Sequence, residues 1–161
     1  MKDEVLLSLI IFLPTLGALF LGLFNQKSEG TMRTFGNAVT FATFVLTLFA
    51  WYKFDHTAIK PDHPMEMYVK IPWIATWNVH YQLGLDGISM QLVVLTSFIS
   101  WLAMLASTSV TKQVRGYLVL YLILETGMLG VFMALDFFLF YVFWEVMLLP
   151  MYFLIGIWGG P

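Results

Sequence analysis

Two glutamates, Glu125 and Glu145, stand inside long apolar stretches of this chain, on either side of Asp136. Glu125 precedes Asp136 by 11 residues and Glu145 follows it by nine. If Leu135 and Asp136 form the turn of a tight antiparallel helical hairpin, each glutamate lies about 15 Å along its helix from that turn, at about 1.5 Å per residue. Since the hydrocarbon core of a bilayer is about 30 Å thick, we predict that both carboxyl groups lie near the membrane midplane.

A carboxylate at that depth is costly, so by default it faces a protein interior or a wet cavity and marks a functional site. Burial disfavours the charged form, whereas an approaching cation favours it. Such a group can therefore load and release a proton when a cation moves or when water enters. Pro150 supports this chemistry, because it cannot donate a hydrogen bond to the Val146 carbonyl, which leaves an acceptor beside Glu145. We predict proton transfer by Glu125 and Glu145.

Composition identifies the class of protein. Of 161 residues, 60% are hydrophobic and only 11% are charged, where a soluble domain has about 25% charged residues. The sequence therefore predicts an all-α polytopic membrane protein. The net charge of −2 gives no reason to expect a nucleic-acid partner. The chain has no cysteine, which excludes disulfides, cysteine-ligated iron–sulfur clusters and thiolate zinc sites within it.

Five stretches are long and apolar enough to cross a membrane. Together they form one predicted membrane domain over residues 1–161, and the spans are 5–24, 34–52, 87–109, 116–135 and 137–158. The first span lacks a basic leading segment and a cleavage site, so we expect it to be a retained helix. The first and third connections carry four basic residues, and the opposite side of the membrane also carries four. Because basic residues close to the spans count most, we weakly favour a cytoplasmic location for the short connections.

The second connection is the one long extramembrane segment. Its alternating pattern predicts a short β-hairpin of Met67–Ile71 against Asn78–Leu83. Asp86 stands immediately before the third span, where we expect it to cap the helix. The three histidines have no metal-ligand spacing, so we predict no metal site and interpret them as solvated or interface residues: His56, His63 and His80.

No lysine or arginine lies inside the five predicted spans. The two acids must then be protonated, bridged by water or paired with a residue elsewhere. The last residues, Gly159-Gly160-Pro161, are typical of a helix end with no further domain after it. These two observations suggest either that the chain is incomplete, as the amino-terminal part of a longer subunit, or that partner helices complete the site.

Three stretches carry a resemblance to a known family. The segments Leu83–Ser89, Gly130–Asp136 and Phe140–Gly160 resemble the antiporter-like subunit M (chain 4) family of respiratory complex I, NADH:quinone oxidoreductase. The resemblance implies that Glu145 is the key protonatable residue of a pumping unit and that Glu125 matches a fourth-helix glutamate of some members. It also implies a larger fold with inverted repeats, in which lysines on later helices are partners of this acid.

The same resemblance implies a non-redox subunit of an enzyme that couples NADH oxidation and quinone reduction to proton transport. This chain would hold no cofactor, while NADH, flavin, iron–sulfur clusters and quinone would belong to partner subunits. The implied partners are other membrane subunits of the complex and the lipid bilayer, and the implied location is a bacterial inner membrane. Two alternatives remain open at this point: a monovalent cation/proton antiporter subunit, and a structural membrane scaffold in which the acids hold helices together.

Overall fold

The computed structural model describes residues 3–25, 27–54 and 67–160. These contain five long helices and one antiparallel hairpin. The helices are α1 Asp3–Leu21, α2 Glu29–Lys53, α3 Gly87–Ala106, α4 Val114–Met133 and α5 Phe137–Trp158, and the strands are β1 Met67–Ile74 and β2 Val79–Leu85. His56 and His63 lie outside the described residues, so their predicted solvated role stays a prediction.

Each of the five helices is long and apolar enough to cross a membrane, which confirms the predicted all-α polytopic class. The helix ends differ from the predicted spans by up to five residues. The largest difference is at α2, which begins at Glu29 rather than at residue 34. Hydropathy marks where a segment is apolar, whereas a helix continues through polar residues such as Arg33 as long as its backbone hydrogen bonds continue.

Helix α4 lies at the centre of the bundle and contacts each of the other four helices. Its buried side chains Leu118, Leu122, Glu125 and Leu129 share one helix face, while Gly127 and Gly130 lie on the face towards α5. Helix α5 packs on one side of α4 and is the least buried of the five helices. Helix α4 is therefore covered on more than one face, whereas much of α5 is left uncovered by the described residues.

The predicted β-hairpin is confirmed and is slightly longer than the sequence pattern indicated. Met67 pairs with Leu85 and Ile71 pairs with Tyr81 in an antiparallel register. The strands are joined by a single 3₁₀ turn, Ala75–Trp77, followed by Asn78 in the left-handed conformation with φ of 54°. Asparagine is one of the few non-glycine residues that adopts positive φ readily, so the turn suits its sequence.

Asp136 fastens this hairpin to the start of α5. One carboxylate oxygen accepts hydrogen bonds from the backbone N–H groups of Phe138 and Leu139, at 2.9 and 3.2 Å, and so caps the helix. The other oxygen accepts from the backbone N–H of His80 at 3.1 Å. The neighbouring Leu135 N–H donates to the Gln82 carbonyl at 2.9 Å. The connection between α4 and α5 is therefore held against β2, which the sequence did not predict.

The predicted cap at the start of α3 is confirmed. The Asp86 carboxylate accepts from the backbone N–H groups of Ile88 and Ser89, and the Ser89 hydroxyl accepts from the Asp86 N–H in return. This reciprocal arrangement is a capping box, which satisfies two N–H groups that the helix cannot satisfy itself. The donors, led by the Ser89 N–H, hold the pKa of the Asp86 carboxyl below its ordinary value.

We predict that Asp136→Ala destabilises the bundle by about 1–2 kcal/mol, because the cap of α5 and the bond to His80 are both lost. Asp136→Asn retains an amide oxygen that can cap the helix, so it should cost less. The measurement is thermal unfolding of the full chain in detergent, followed by helical circular dichroism. Equal melting temperatures for the wild type and Asp136→Ala would contradict the role assigned to this carboxylate.

The contribution of Asp136 should also depend on pH. Partial burial opposes ionisation, but the N–H donors of His80, Leu139 and Phe138 outweigh it and hold the pKa below the ordinary 3.8. A depressed pKa contributes stability that is present above the unfolded-state pKa and is lost as pH falls through the folded-state pKa. The difference in melting temperature between the wild type and Asp136→Ala should therefore be constant from about pH 7 to 5 and shrink below about pH 4. A difference that grows on acidification would contradict this assignment.

Candidate functional site

Two glycines set the contact between α4 and α5. A Cβ atom on Gly127 would lie 2.8 Å from the backbone nitrogen of Met147, and one on Gly130 would overlap the ring of Phe143. Side chains at these positions would push the helices apart, so the glycines permit close packing of the two backbones. They also fix the register, because Gly127 stands opposite Met147 and Gly130 stands opposite Phe143.

This register determines the relative heights of the two glutamates. It places Glu145 three to four residues from the level of Glu125, a displacement of about 5 Å at about 1.5 Å per residue. Glu125 lies within two residues of the midpoint of α4, and Glu145 lies within three of the midpoint of α5. The two acids are thus mid-helix and about one helical turn apart. Their depth in a bilayer is not fixed by contacts within the chain, and the midplane position stays a prediction.

Glu125 is completely buried, and neither of its carboxylate oxygens has a hydrogen-bond partner in the described part of the chain. An ionised carboxylate without donors in an apolar interior is among the most costly groups a protein can bury. At this position the side chain is stable as a neutral acid or with water molecules as partners. Its surroundings therefore permit a change of protonation only together with a change of hydration or of a nearby charge.

Hydroxyl groups surround the level of Glu125. On the α1 side, the Thr15 hydroxyl donates to the Thr126 hydroxyl at 2.6 Å, one residue from the acid. On the opposite side, the hydroxyls of Thr47 and Ser97 are hydrogen bonded to each other at 2.8 Å. We call this set of four side chains, Thr15, Thr47, Ser97 and Thr126, the hydroxyl layer.

The height of the Ser97–Thr47 pair follows from another bond. The Tyr121 hydroxyl donates to the Ser100 carbonyl at 2.7 Å, which places those two residues opposite each other on antiparallel helices. Glu125 lies one turn beyond Tyr121 along α4, and Ser97 lies about one turn before Ser100 along α3. The acid and the Ser97 hydroxyl are therefore at about the same level.

Sequence reasoning missed the hydroxyl layer, although α2 contained a signal for it. Thr40, Thr43 and Thr47 recur at spacings of three and four, which places them on one helix face. All three are buried, and each hydroxyl donates to a carbonyl of its own helix. This local bonding satisfies the hydroxyl donor and leaves its oxygen able to accept a further hydrogen bond.

Glu145 lies on a different kind of surface. It is exposed on α5, on the same face as Tyr141, Leu149 and Tyr152, and no described residue covers that face. Buried Pro150 lies in the same helix just over one turn farther on. An ionisable group that faced hydrocarbon would cost several kcal/mol. The interior or wet environment predicted for Glu145 must therefore come from outside the described chain, and it stays a prediction.

Within the part of the chain that the structure describes, no group of three or more histidine, aspartate or glutamate side chains is placed to hold a metal ion. The backbone N–H of His80, in the hairpin, donates a hydrogen bond to the Asp136 carboxylate. The candidate site therefore consists of the two mid-helix acids, Glu125 and Glu145.

Comparison with known proteins gives consistent matches. A family model described as NADH-ubiquinone oxidoreductase chain 4, amino terminus, matches residues 63–133. Over 96% of its length the chain is 36% identical to NAD(P)H-quinone oxidoreductase chain 4 of Nostoc sp. and 38% identical to NADH-quinone oxidoreductase subunit M of Rhodobacter capsulatus. It is 33% identical to subunit M of Rickettsia typhi over 99% of its length. The chain is therefore similar, over nearly its whole length, to part of the chain 4 (subunit M) proteins.

Solved structures agree with this similarity. The chain matches respiratory complex I from Thermus thermophilus with bound NADH at 25% identity and a TM-score of 0.75, over 96% of this chain and 30% of that one. A membrane-bound sulfane sulfur reductase, an archaeal respiratory membrane complex, shares the fold at 21% identity and a TM-score of 0.68, over 91% of this chain and 29% of that one. The chain spans only 28–33% of the length of the three family members compared above.

The close α4–α5 packing yields a stability prediction. Gly127→Ala and Gly130→Ala should each destabilise the bundle by about 1–3 kcal/mol, because the added methyl group overpacks the contact. Gly156→Ala in α5 is the matched control, since a Cβ there meets nothing within 4 Å. Thermal unfolding in detergent measures all three variants. A larger loss for Gly156→Ala than for Gly130→Ala would contradict the packing described.

The isolated state of Glu125 yields a second prediction. Glu125→Met replaces a buried, unpartnered carboxyl by an apolar side chain of similar size, so it should leave the melting temperature unchanged or raise it. Glu145→Met is the comparison, because Glu145 is exposed and its removal relieves no burial within this chain. A marked loss of stability in Glu125→Met would show that the carboxyl has a stabilising partner in the folded chain.

Proposed function

We propose that this chain is the amino-terminal part of a proton-translocating membrane subunit of a respiratory NADH:quinone oxidoreductase, in which Glu145 and Glu125 transfer protons. The observation that carries the proposal is the complete burial of Glu125 without a hydrogen-bond partner among the described residues, at the level of the hydroxyl layer. A purely structural acid would be expected to have donors, because an unpartnered buried carboxyl only destabilises the fold. Similarity to chain 4 and subunit M proteins supports the kind of complex proposed.

Glu125 and Glu145 have different parts in this proposal. Glu145, exposed on the uncovered face of α5, exchanges a proton with a lysine outside this sequence: the carboxylic acid becomes a carboxylate as the amine becomes an ammonium ion. The attraction between the two charges is strong in a medium of low dielectric constant, and it offsets part of the cost of forming them there. When the cation moves away, the carboxylate is left unpaired and takes up a proton again.

Glu125 acts as a secondary relay or gate. The hydroxyl oxygens of Thr126 and Ser97 lie near its level and can hold water molecules against the carboxyl group. The two acids differ by about 5 Å in height along the bundle, but Glu125 faces the interior and Glu145 faces the uncovered side of α5, so a longer chain of water molecules would have to connect them. The uptake of water and the ionisation of Glu125 would then occur together, which prevents a permanent leak.

The redox steps belong to other subunits in this proposal. NADH oxidation and quinone reduction, with the flavin and iron–sulfur clusters that they use, take place in partner proteins. Other membrane subunits of the complex and the lipid bilayer are the proposed partners of this chain, and a bacterial inner membrane is its proposed location. The contribution of this chain is to move protons in response to NADH oxidation and quinone reduction in those partner proteins.

The test is substitution of each acid in the assembled enzyme in sealed membrane vesicles. Glu145→Gln removes the proton-transfer group but retains its size, and we expect a loss of at least about tenfold in proton pumping, since a positioned acid–base group typically contributes about 100-fold or more. Glu125→Gln should reduce pumping to a smaller extent. The measurements are the initial rate of pH-gradient formation on NADH addition and the accompanying rate of quinone reduction.

Glu4→Gln is the control, because Glu4 is an exposed acid at the start of α1 and has no part in the proposed site. Assembly is checked by the amount of complex recovered from the membrane. Full pumping in a Glu125→Gln/Glu145→Gln double variant with normal assembly would contradict the proposal and favour a structural scaffold. Sodium transport without quinone-linked turnover would favour a monovalent cation/proton antiporter instead.

A further inference from the structure

The two short connections of the bundle meet at one end. The Arg115 side chain, at the start of α4, donates to the Phe24 carbonyl at 3.1 Å, which ties the third connection to the end of α1. The Arg33 side chain, near the start of α2, donates to the Val110 carbonyl after α3. These two bonds hold the first and third connections together at the end of the bundle remote from the hairpin.

Positive charge accumulates at this end. We call the four cationic residues there, Lys27, Arg33, Lys112 and Arg115, the basic cluster. Glu29 is the one acidic residue in the described part of the two connections and the adjoining helix starts, so the net charge is about +3. None of the four is in an ion pair within the described residues, and the two arginine bonds to carbonyls leave both positive charges uncompensated.

A largely polar cavity of about 380 Å³ opens in the basic cluster. Its walls are Glu29 and the first turn of α4 with the residue before it, which are Gln113, Val114, Arg115 and Gly116. Its volume is within the range of about 300–1,000 Å³ that is usual for small-molecule sites. The lining holds one acidic and one basic side chain, Glu29 and Arg115, so the excess positive charge around the cavity comes from the other three members of the basic cluster.

The cavity lies beside aromatic residues of the kind that concentrate at a membrane–water interface. The indole N–H of Trp158, at the end of α5, donates to the Lys112 carbonyl at 2.7 Å, and its ring meets that of Tyr117 edge-on at a centroid distance of 5.5 Å. Tryptophan and tyrosine concentrate at the level of lipid headgroups. Directly below the Phe24 carbonyl that Arg115 binds, α1 exposes apolar side chains, with Leu23 81% exposed and Leu19 67% exposed.

We propose that the basic cluster and this cavity bind the headgroup of an anionic phospholipid. The phosphodiester lies against Arg115 and Lys112, and an acyl chain follows the exposed apolar face at the end of α1. Cationic pockets between membrane helices have the charge that anionic headgroups require, and each nearby basic residue adds a similar increment of affinity. A diffusible phosphate ion would use the charge of the cavity but would gain nothing from Leu19 and Leu23.

Lipid retention by the full chain tests the site. The chain is purified from membranes in mild detergent, and its binding of phosphatidylglycerol and of phosphatidylcholine is measured by native mass spectrometry. We expect phosphatidylglycerol to be preferred. Lys112→Gln should weaken its binding about fivefold, and Lys27→Gln/Lys112→Gln about 25-fold, with phosphatidylcholine unaffected. Neither lysine side chain makes a hydrogen bond in the described structure, so these variants should fold, and circular dichroism checks that they do.

Lys70→Gln is the matched control, because Lys70 is an exposed lysine in β1 at the opposite end of the molecule. An equal loss of phosphatidylglycerol in Lys70→Gln would overturn the proposal, since the effect would then be one of net charge. Equal binding of phosphatidylcholine and phosphatidylglycerol would also overturn it. Complete displacement of phosphatidylglycerol by inorganic phosphate at the same concentration would indicate a site for the free ion rather than for the lipid. The proton-transfer variants play no part in these readouts, so the two proposals fail independently.

Discussion

Hydrocarbon supplies no hydrogen bonds, so a membrane protein must satisfy the polar groups of its spans internally. Most of this bundle is consistent with that constraint. The threonines of α2 donate to carbonyls of their own helix, Thr15 donates to Thr126 across the α1–α4 contact, and Ser97 meets Thr47 between α3 and α2. Among the described residues, three have buried polar atoms without a hydrogen-bond partner: Arg33, Asn37 and Glu125. Glu125 is the one in which both side-chain oxygens lack a partner. Its unpartnered carboxyl is informative because the groups around it are paired.

The same constraint explains how the ends of the bundle are built. The N–H groups at the starts of α3 and α5 are capped by Asp86 and Asp136, and the second of these carboxylates also holds the hairpin. At the other end, arginine side chains reach carbonyls that the helices leave free. Negative charge therefore serves the hairpin end and positive charge the opposite end. This polarity is a consequence of capping chemistry as well as of any interaction with lipid.

Helix α4 combines a close helix contact with a buried group that is costly to stability. Gly127 and Gly130 let the two helices approach closely, which favours dispersion contacts, while the carboxyl of Glu125 two residues away contributes a destabilising burial. Proteins retain such costly groups where an activity depends on them. The close contact also gives the two acids a defined separation, since Glu145 is carried on the helix that the glycines position. This separation is a difference in height of about one turn, since Glu125 faces the interior of the bundle and Glu145 faces the uncovered side of α5.

Local patterns were sufficient to predict the five helices, the hairpin and the Asp86 cap. Length and hydropathy identify a span, alternation identifies a strand, and an Asp before a helix identifies a cap, and each of these signals lies within a few adjacent residues. The sequence also determined that Glu125 and Glu145 occur in the middle of apolar segments. Those predictions needed no information about which elements are neighbours.

Only the tertiary structure decided that Glu125 is enclosed while Glu145 is exposed on α5. A helix that is apolar on all sides carries no periodic signal to show which face is inward, so the burial of one residue depends on the helices packed around it. For the same reason the α4–α5 register, the bond from His80 to Asp136 and the gathering of the basic cluster could not be read from spacing. They depend on contacts between residues far apart in the chain, such as Arg115 and Phe24, which local chemistry does not specify.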